Sequence, residues 1–274
     1  VRLYDREFAH VGTVCGLDVS PNIQWVREGP PLAVNVFTES LIDEIPKCDT
    51  GIKVLWLIEP EVIHAWGYRQ VRAGLYKDVD YIITFDKSLH DLCPAKAIMW
   101  GNGSWVRLCD WGVAPKKKNV SMCASTKANT EFQLLRQEVV AAIGNRLDLV
   151  CGTGRKISPP NRVDIFRDYR YSVVIENSCV DWYFSEKILD CFAMGTIPIY
   201  CGCPSIERFF NHNGIIKFVN VNDLKNILGG TGPIDYANRL PAVMDNCERA
   251  KKYVPVETQL YNSFFKQFDK GGLS

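Results

Sequence analysis

No apolar run in this sequence approaches the ~20 residues that a membrane-spanning helix needs. Neither sign of charge dominates: 32 Lys and Arg stand against 31 Asp and Glu. A net charge of +1 gives no nucleic-acid footprint, although local basic clusters stay open. The four histidines (His10, His64, His90 and His212) are scattered and no CxxC pair occurs, so the spacing for a structural zinc site is missing. No GxGxxG follows a strand-like run and no GxxxxGK occurs, which argues against a dinucleotide oxidoreductase. There is no repeat at a fixed period and no low-complexity segment. No signal-peptide pattern opens the sequence. The first residue given is Val1, so an upstream segment stays open, and the expectation is a soluble, cytoplasmic protein.

The chain is long enough, at 274 residues, for one large domain or two modest ones. Hydrophobic residues at 47% and charged residues at 23% fit an ordinary globular enzyme. Cysteine is plentiful, with eleven residues. Cys151, Cys191 and Cys201 lie in or beside apolar runs, where cysteine behaves as a small buried hydrophobe. The odd count favours a reducing compartment. Asn102-Gly103-Ser104 and Asn119-Val120-Ser121 match the glycosylation tripeptide, which also arises often by chance.

Apolar, β-branched or aromatic runs predict buried strands at 32–37, 53–58 and 81–85. The stretch 60–75 reads as the helix between the last two, a βαβ unit. A short helix at 88–92 and a weaker strand at 97–100 follow. Pro115-Lys116-Lys117-Lys118 reads as a solvated linker. Beyond it come a strand from Asn119 to Cys123, a helix over 130–144, a strand over 148–151 and a helical turn over 164–169. After a central βαβ unit, a short strand is expected at 214–219, then helices at 222–228, 236–251 and 255–268. The expected division is 1–115, 116–254 and 255–274, with the last segment packing back on the first. Two successive α/β segments predict two Rossmann-like lobes with an interlobe cleft.

The densest chemistry lies between Tyr171 and Gly202, YSVVIENSCVDWYFSEKILDCFAMGTIPIYCG. It reads as strand, polar loop, helix and strand. Glu176, Asn177 and Ser178 fall at the strand's carboxyl edge, where open parallel sheets hold ligands. Ser185 is a natural helix cap and Gly195 a natural helix end. The helix start, with its unpaired N–H groups and positive dipole end, suits phosphate, and Lys187 adds a full charge. Glu186 suits ribose or sugar hydroxyls, and Tyr183 offers an aromatic face and a donor OH. The competing reading has Glu186 complementing the helix dipole and Lys187 solvated.

This segment resembles the α1,3-fucosyltransferase family, whose pattern is FxxENSxxxDYxTEKxxxAxxxGxxPVxxG. The match comprises ENS at 176–178, Tyr183, the Glu186-Lys187 pair, Gly195, Pro198 and Gly202. It covers about 30 residues and is faint elsewhere. The resemblance implies a GT-B fold, a nucleotide-sugar donor held in the C-terminal lobe and inversion at the anomeric carbon. It makes Tyr183, Glu186 and Lys187 donor-binding residues. The family also carries a phosphate-contacting Arg after a Ser-x-Cys-like strand end. Here Ser121-Met122-Cys123 is followed by Lys127 and then Arg136, either of which stands for it. That departure leaves the donor open between GDP-fucose and a UDP-sugar such as UDP-xylose.

Inverting transfer needs a general base for the acceptor hydroxyl. Glu59 follows the strand at 53–58, where the family has a Glu-Ser-Pro-like segment and this chain has Glu59-Pro60-Glu61. Glu59 is therefore the preferred base. Glu61, His64 and Asp86 are alternatives, and Asp86 also suits a helix cap. Asp78-Val79-Asp80 looks like a metal-binding DxD but precedes its strand, at the wrong edge, so no metal is expected to be required. Trp56, Trp66, Tyr68, Trp100, Trp105 and Trp111 include candidates for stacking on an acceptor sugar, although most are expected in the core. The expected partners are a nucleotide-sugar donor and an oligosaccharide or glycoprotein glycan acceptor. A non-catalytic nucleotide- or sugar-binding module is the alternative.

Overall fold

The computed structural model describes residues 1–6, 13, 20, 22–99, 103–151 and 162–269, without the side chains of Met99 and Cys151. The chain separates into two compact units. The first comprises Val1–Asn102, Asp181–Tyr183 and Pro255–Ser274, and the second Gly103–Val180 and Phe184–Val254. The boundary lies before Gly103, ahead of the 115/116 division read from the sequence.

The first unit holds a parallel sheet of β1 (Arg2–Tyr4), β2 (Val34–Thr38), β3 (Ile52–Trp56), β4 (Tyr81–Thr84) and β5 (Ala97–Met99). Their spatial order is their chain order, β1-β2-β3-β4-β5. Val36, Phe37, Val54, Leu55, Ile82 and Ile83 are buried, as strands covered on both faces require. The helix expected over 60–75 is shorter, α1 (Ala65–Arg72). Its N-terminal part is a turn instead, with Ile63 and His64 N–H both reaching the Pro60 carbonyl. A helical run at Glu39–Lys47 was not read from the sequence, because it is mostly 3-10 and contains Pro46. Strand β1, with three residues, is too short to show a period. Helices α2 (Lys87–Leu92) and, near the chain's end, α8 (Val256–Ser263) complete the unit. Around α8, the Trp25 indole N–H donates to Glu257 (3.0 Å) and Tyr81 meets Phe264 edge-on.

The second unit holds β6 (Lys118–Cys123), β7 (Asp148–Cys151), β8 (Tyr169–Ile175), β9 (Ile197–Cys201) and β10 (Ile216–Lys217), all parallel. Its helices are α3 (Glu131–Ile143), α4 (Val163–Phe166), α5 (Glu186–Ala193), α6 (Val221–Gly230) and α7 (Pro233–Ala250). The strand order is β10-β9-β8-β6-β7. After β7 the chain returns past β6 to place β8 on its other side, so the winding direction reverses between β6 and β8. Such a reversal opens a crevice at the carboxyl ends of the two strands. The first sheet has no such reversal among the described residues.

Lys116 corrects the linker reading. Its ammonium donates to the carbonyls of Met194 (2.6 Å) and Arg167 (3.0 Å) and to the Thr196 hydroxyl (3.1 Å). It thus caps the carboxyl end of α5, where a cation complements the helix dipole. Burial pulls its pKa down to about 8. Lys118 already belongs to β6.

Helix α5 ends in a Schellman arrangement. Gly195 N–H reaches the Phe192 carbonyl (3.1 Å) and Thr196 N–H the Cys191 carbonyl (2.9 Å), with Gly195 at φ 64°. A Cβ on Gly195 would lie 2.8 Å from Val113. Gly195→Ala is therefore expected to cost about 2–4 kcal/mol, combining left-handed strain with overpacking. Urea denaturation of the two proteins, compared at constant m-value, measures it.

Candidate functional site

At the carboxyl ends of β6 and β8 lies a cavity of about 160 Å³. This far exceeds the ~10–15 Å³ that a single water needs. It is lined by Cys123 and Ser125 after β6, by Ser172–Ile175 of β8, and by Phe166, Arg136, Arg162 and Lys187. The cavity therefore sits at the reversal in strand order. Among the described residues, three cationic side chains line it and no acidic one does.

The acids stand behind the cations. Glu176, the residue after β8, is fully buried. Its carboxylate accepts from the Ser185 N–H (3.0 Å) and the Ser185 hydroxyl (2.5 Å). Lys187 Nζ lies 2.9 Å from the same hydroxyl, 3.5 Å from Glu176 and 3.3 Å from Glu186. Ser185 is the N-cap of α5, so one buried carboxylate fixes both the helix start and the lysine on its first turn. Gly202 leaves room for this. A Cβ there would fall 2.5 Å from the Glu176 side chain.

A second acid pair holds Arg162. Its guanidinium donates to Asp190 (2.7 Å) and Glu186 (3.3 Å) and lies over the Trp105 ring at 4.8 Å. Asp190 also accepts from the Ser104 hydroxyl and the Trp105 N–H, each at 2.7 Å. Burial pushes Asp190 up to about 6 despite the arginine. For Glu186, burial works upward but is outweighed by Lys187 and Arg162, which bring it down to about 2. Arg136 is engaged by backbone and amide oxygens instead. It donates twice to the Ile175 carbonyl (3.0 and 2.7 Å) and once to Asn177 (2.9 Å), fastening the end of β8 to the ENS loop.

In the first unit Glu59 is held at its backbone. Its N–H donates to the carboxylate of Glu39 (2.7 Å), which also accepts from Ile58 N–H, and its carbonyl accepts from Tyr68 OH (3.0 Å). The Glu59 carboxylate lies 3.4 Å from Tyr183 OH. Tyr183 is itself buried and packs on Phe85, with ring centroids 4.8 Å apart. The preceding Trp182 has φ 69°, a strained position for a bulky residue.

The predicted residues thus fall into distinct places. Arg136 and Lys187 reach the cavity. Glu186 meets Lys187, and Asn177 meets Arg136. Glu176, expected beside the donor, is buried behind Lys187 instead. Ser178 is half-buried outside the cavity lining, and Lys127 is exposed and does not line it. Tyr183 groups with the first unit beside Glu59. Of the alternative bases, Glu61 is paired with Arg72 at 2.5 Å, and Asp86 caps α2 by accepting from Ser88 N–H. His64 takes the N-cap position of α1. Asp80 accepts from Lys53 N–H at the amino edge of the sheet. Among the described residues no group of three His, Cys, Asp or Glu could hold a metal ion.

Three residues were missed from the sequence: Arg162, Asp190 and Glu39. Asp190 carried a signal, a carboxylate on the apolar face of α5, which requires a buried partner. The cysteines are mostly thiols: Cys48, Cys93, Cys109, Cys179, Cys191, Cys201, Cys203 and Cys247 are free. Cys123 is disulfide-bonded, which the reducing-compartment expectation did not include. No helix among the described residues is long and apolar enough to cross a membrane.

Burial raises Glu39 to about 8, against the hydrogen bonds from Glu59 and Ile58. The folded protein thus binds this proton more tightly than the unfolded chain. The resulting stability is fully present below the unfolded pKa near 4.5 and is lost as pH rises through about 8. Glu39→Gln should flatten the fall of melting temperature between pH 5 and 8. An unchanged slope refutes the assignment.

No protein-family model matches the chain. It is 39% identical over 66 residues to the alpha-(1,3)-fucosyltransferase FucT of Helicobacter pylori, 24% of this chain and 13% of that protein. It is 32% identical over 81 residues to alpha-(1,3)-fucosyltransferase B of Drosophila melanogaster, 30% of this chain and 17% of that one. The matched stretches therefore span less than a fifth of these curated relatives. Among solved structures, an alpha1,3-fucosyltransferase with GDP-fucose gives a TM-score of 0.52 at 16% identity, over 91% of this chain and 81% of that chain. TarM gives 0.50 at 13%, over 87% and 55%. The chain has the mixed α/β fold with two parallel sheets found in GT-B glycosyltransferases, and part of its sequence is similar to α1,3-fucosyltransferases.

Proposed function

We propose that this protein is an inverting glycosyltransferase that moves a sugar from a nucleotide-diphosphate sugar to a glycan hydroxyl. The observation that carries the reading is the cation-lined cavity at the strand-order reversal of the second sheet, bordered by the ENS loop and the first turn of α5. The donor is GDP-fucose or a UDP-sugar such as UDP-xylose. Similarity to fucosyltransferases favours the first, and the lack of the family's Arg after β6 keeps the second.

In this reaction Glu59 takes the proton of the acceptor hydroxyl as its oxygen attacks the anomeric carbon. The bond from that carbon to the diphosphate breaks, and its electron pair leaves with the nucleoside diphosphate. Charge grows on the leaving oxygens as the bond opens, so a fixed cation stabilises the transition state more than the ground state. Lys187 is such a cation, held in place by Ser185 and two carboxylates. With a side-chain cation serving the diphosphate, the reaction has no requirement for a divalent metal. Glu59 suits the base because its backbone N–H and carbonyl are both pinned while the residue is only half-buried.

A second reading, a binding module without turnover, retains the cavity and dispenses with Glu59. Two substitutions separate them. Lys187→Ala is expected to weaken binding of GDP or UDP by about 10- to 100-fold, the loss of a charge-assisted contact. Glu59→Gln is expected to leave that affinity within about 2-fold and to lower sugar transfer by about 100- to 10,000-fold. Calorimetric titration and a donor-turnover assay read the two effects. Turnover unaffected by Glu59→Gln would overturn the role of the base. An absence of nucleotide-sugar turnover in the unaltered protein, alongside intact GDP or UDP binding, would favour the binding module.

A further inference from the structure

One of the cations that line the cavity, Arg162, was not among the sequence candidates. We infer that Arg162, the residue that caps the start of α4, receives the donor's diphosphate together with Lys187, rather than a residue of the loop after β6. This rests on the glycosyltransferase reading and names a further residue of its donor site.

Three observations support it. First, position: of the cavity's three cationic side chains, Arg136 spends its Nε and one terminal nitrogen on the Ile175 carbonyl and Asn177. Its work is to fasten the end of β8. Lys127, the other sequence candidate, lies exposed outside the lining. Among the described residues, Arg162 and Lys187 are the remaining cations that line the space.

Second, spacing: Arg162 and Lys187 each lie 3.3 Å from the same oxygen, Oε1 of Glu186. One carboxylate oxygen thus bridges two cations. A diphosphate carries two adjacent negative centres and matches a pair of cations brought together on one such oxygen. Glu186 and Asp190 take one terminal N–H each from Arg162, and a guanidinium offers further N–H groups for a bidentate phosphate contact.

Third, preorganisation: Arg162 is held by two acids on one side and the Trp105 ring on another, and its side chain is only 15% exposed. The two acids that are wholly buried, Glu176 and Asp190, neutralise the cluster from behind without lining the cavity. The cluster is therefore tolerable when empty, and its cavity face is positive. A fixed charge of this kind needs little reorganisation when the anion arrives.

The test compares a nucleoside diphosphate with its own nucleoside, because a merely structural arginine affects both alike. GDP and guanosine, and in parallel UDP and uridine, are titrated calorimetrically at several salt concentrations. Arg162→Met alone leaves Asp190 buried without its partner, so it is combined with Asp190→Asn. The Asn carbonyl can still accept from Ser104 and Trp105. The expected result is a diphosphate-to-nucleoside affinity ratio about 10- to 100-fold smaller than in the unaltered protein, with nucleoside affinity retained and a shallower salt dependence. Arg162→Lys, which keeps the charge and loses the fork, should show a smaller loss of about 3- to 10-fold, and it carries the test if the double variant does not fold. A ratio unchanged in folded variants, while the unaltered protein prefers the diphosphate, overturns the inference and leaves the glycosyltransferase reading standing. No preference for either diphosphate in the unaltered protein overturns both.

Discussion

The second unit turns on one buried carboxylate. Glu176 directly follows the central strand β8 and is wholly buried, so its oxygens must find donors in the protein. Ser185 supplies both an N–H and a hydroxyl, and Lys187 supplies countercharge. Meeting that demand closes the loop between strand and helix, sets where α5 begins and directs its first lysine to the end of the sheet. Gly202 is part of the same constraint, because any side chain there would displace the carboxylate. Removing one partner of such a buried group typically costs about 3–5 kcal/mol. A polar requirement inside the fold thereby prepares a surface for an anion.

Charge is arranged in two layers around the cavity. Arg136, Arg162 and Lys187 face the space, and Glu176, Glu186 and Asp190 lie among and behind them. The acids make it possible to bury cations without an anion present. Glu186 stays ionised because its two cationic neighbours outweigh its burial. Glu39 presents the opposite balance in the first unit, where hydrogen bonds from Ile58 and Glu59 do not offset burial and no cation among the described residues pairs with it. The two carboxyls differ in company more than in depth.

Most elements were legible in the sequence, because apolar runs and helical spacing record burial directly. The strand over 148–151 and the cap at Ser185 fell where they were read, and Gly195 closes its helix by the left-handed turn that glycine allows. The failures share a cause. Strand β1 and the helical run at Glu39–Lys47 are too short or too irregular to carry a period. The lysines after Pro115 look solvated in one dimension, yet Lys116 is claimed by carbonyls nearly 80 residues away in sequence. Glu176 was read as a ligand contact because its motif is polar, and the motif does not tell which polar groups face inward.

Sequence alone determined the two α/β segments, the strand–loop–helix carrying Glu176, Asn177, Glu186 and Lys187, and the candidacy of Glu59. These follow from local spacing, which a linear chain records. Tertiary structure decided the strand order, and hence the crevice between β6 and β8. It also decided which of three candidate cations reach that crevice. Arg162 meets Glu186 and Asp190 across more than twenty residues of sequence, and Glu39 meets Glu59 across twenty. No periodicity encodes such pairs, because they arise only when folding removes water and each buried charge must find a partner.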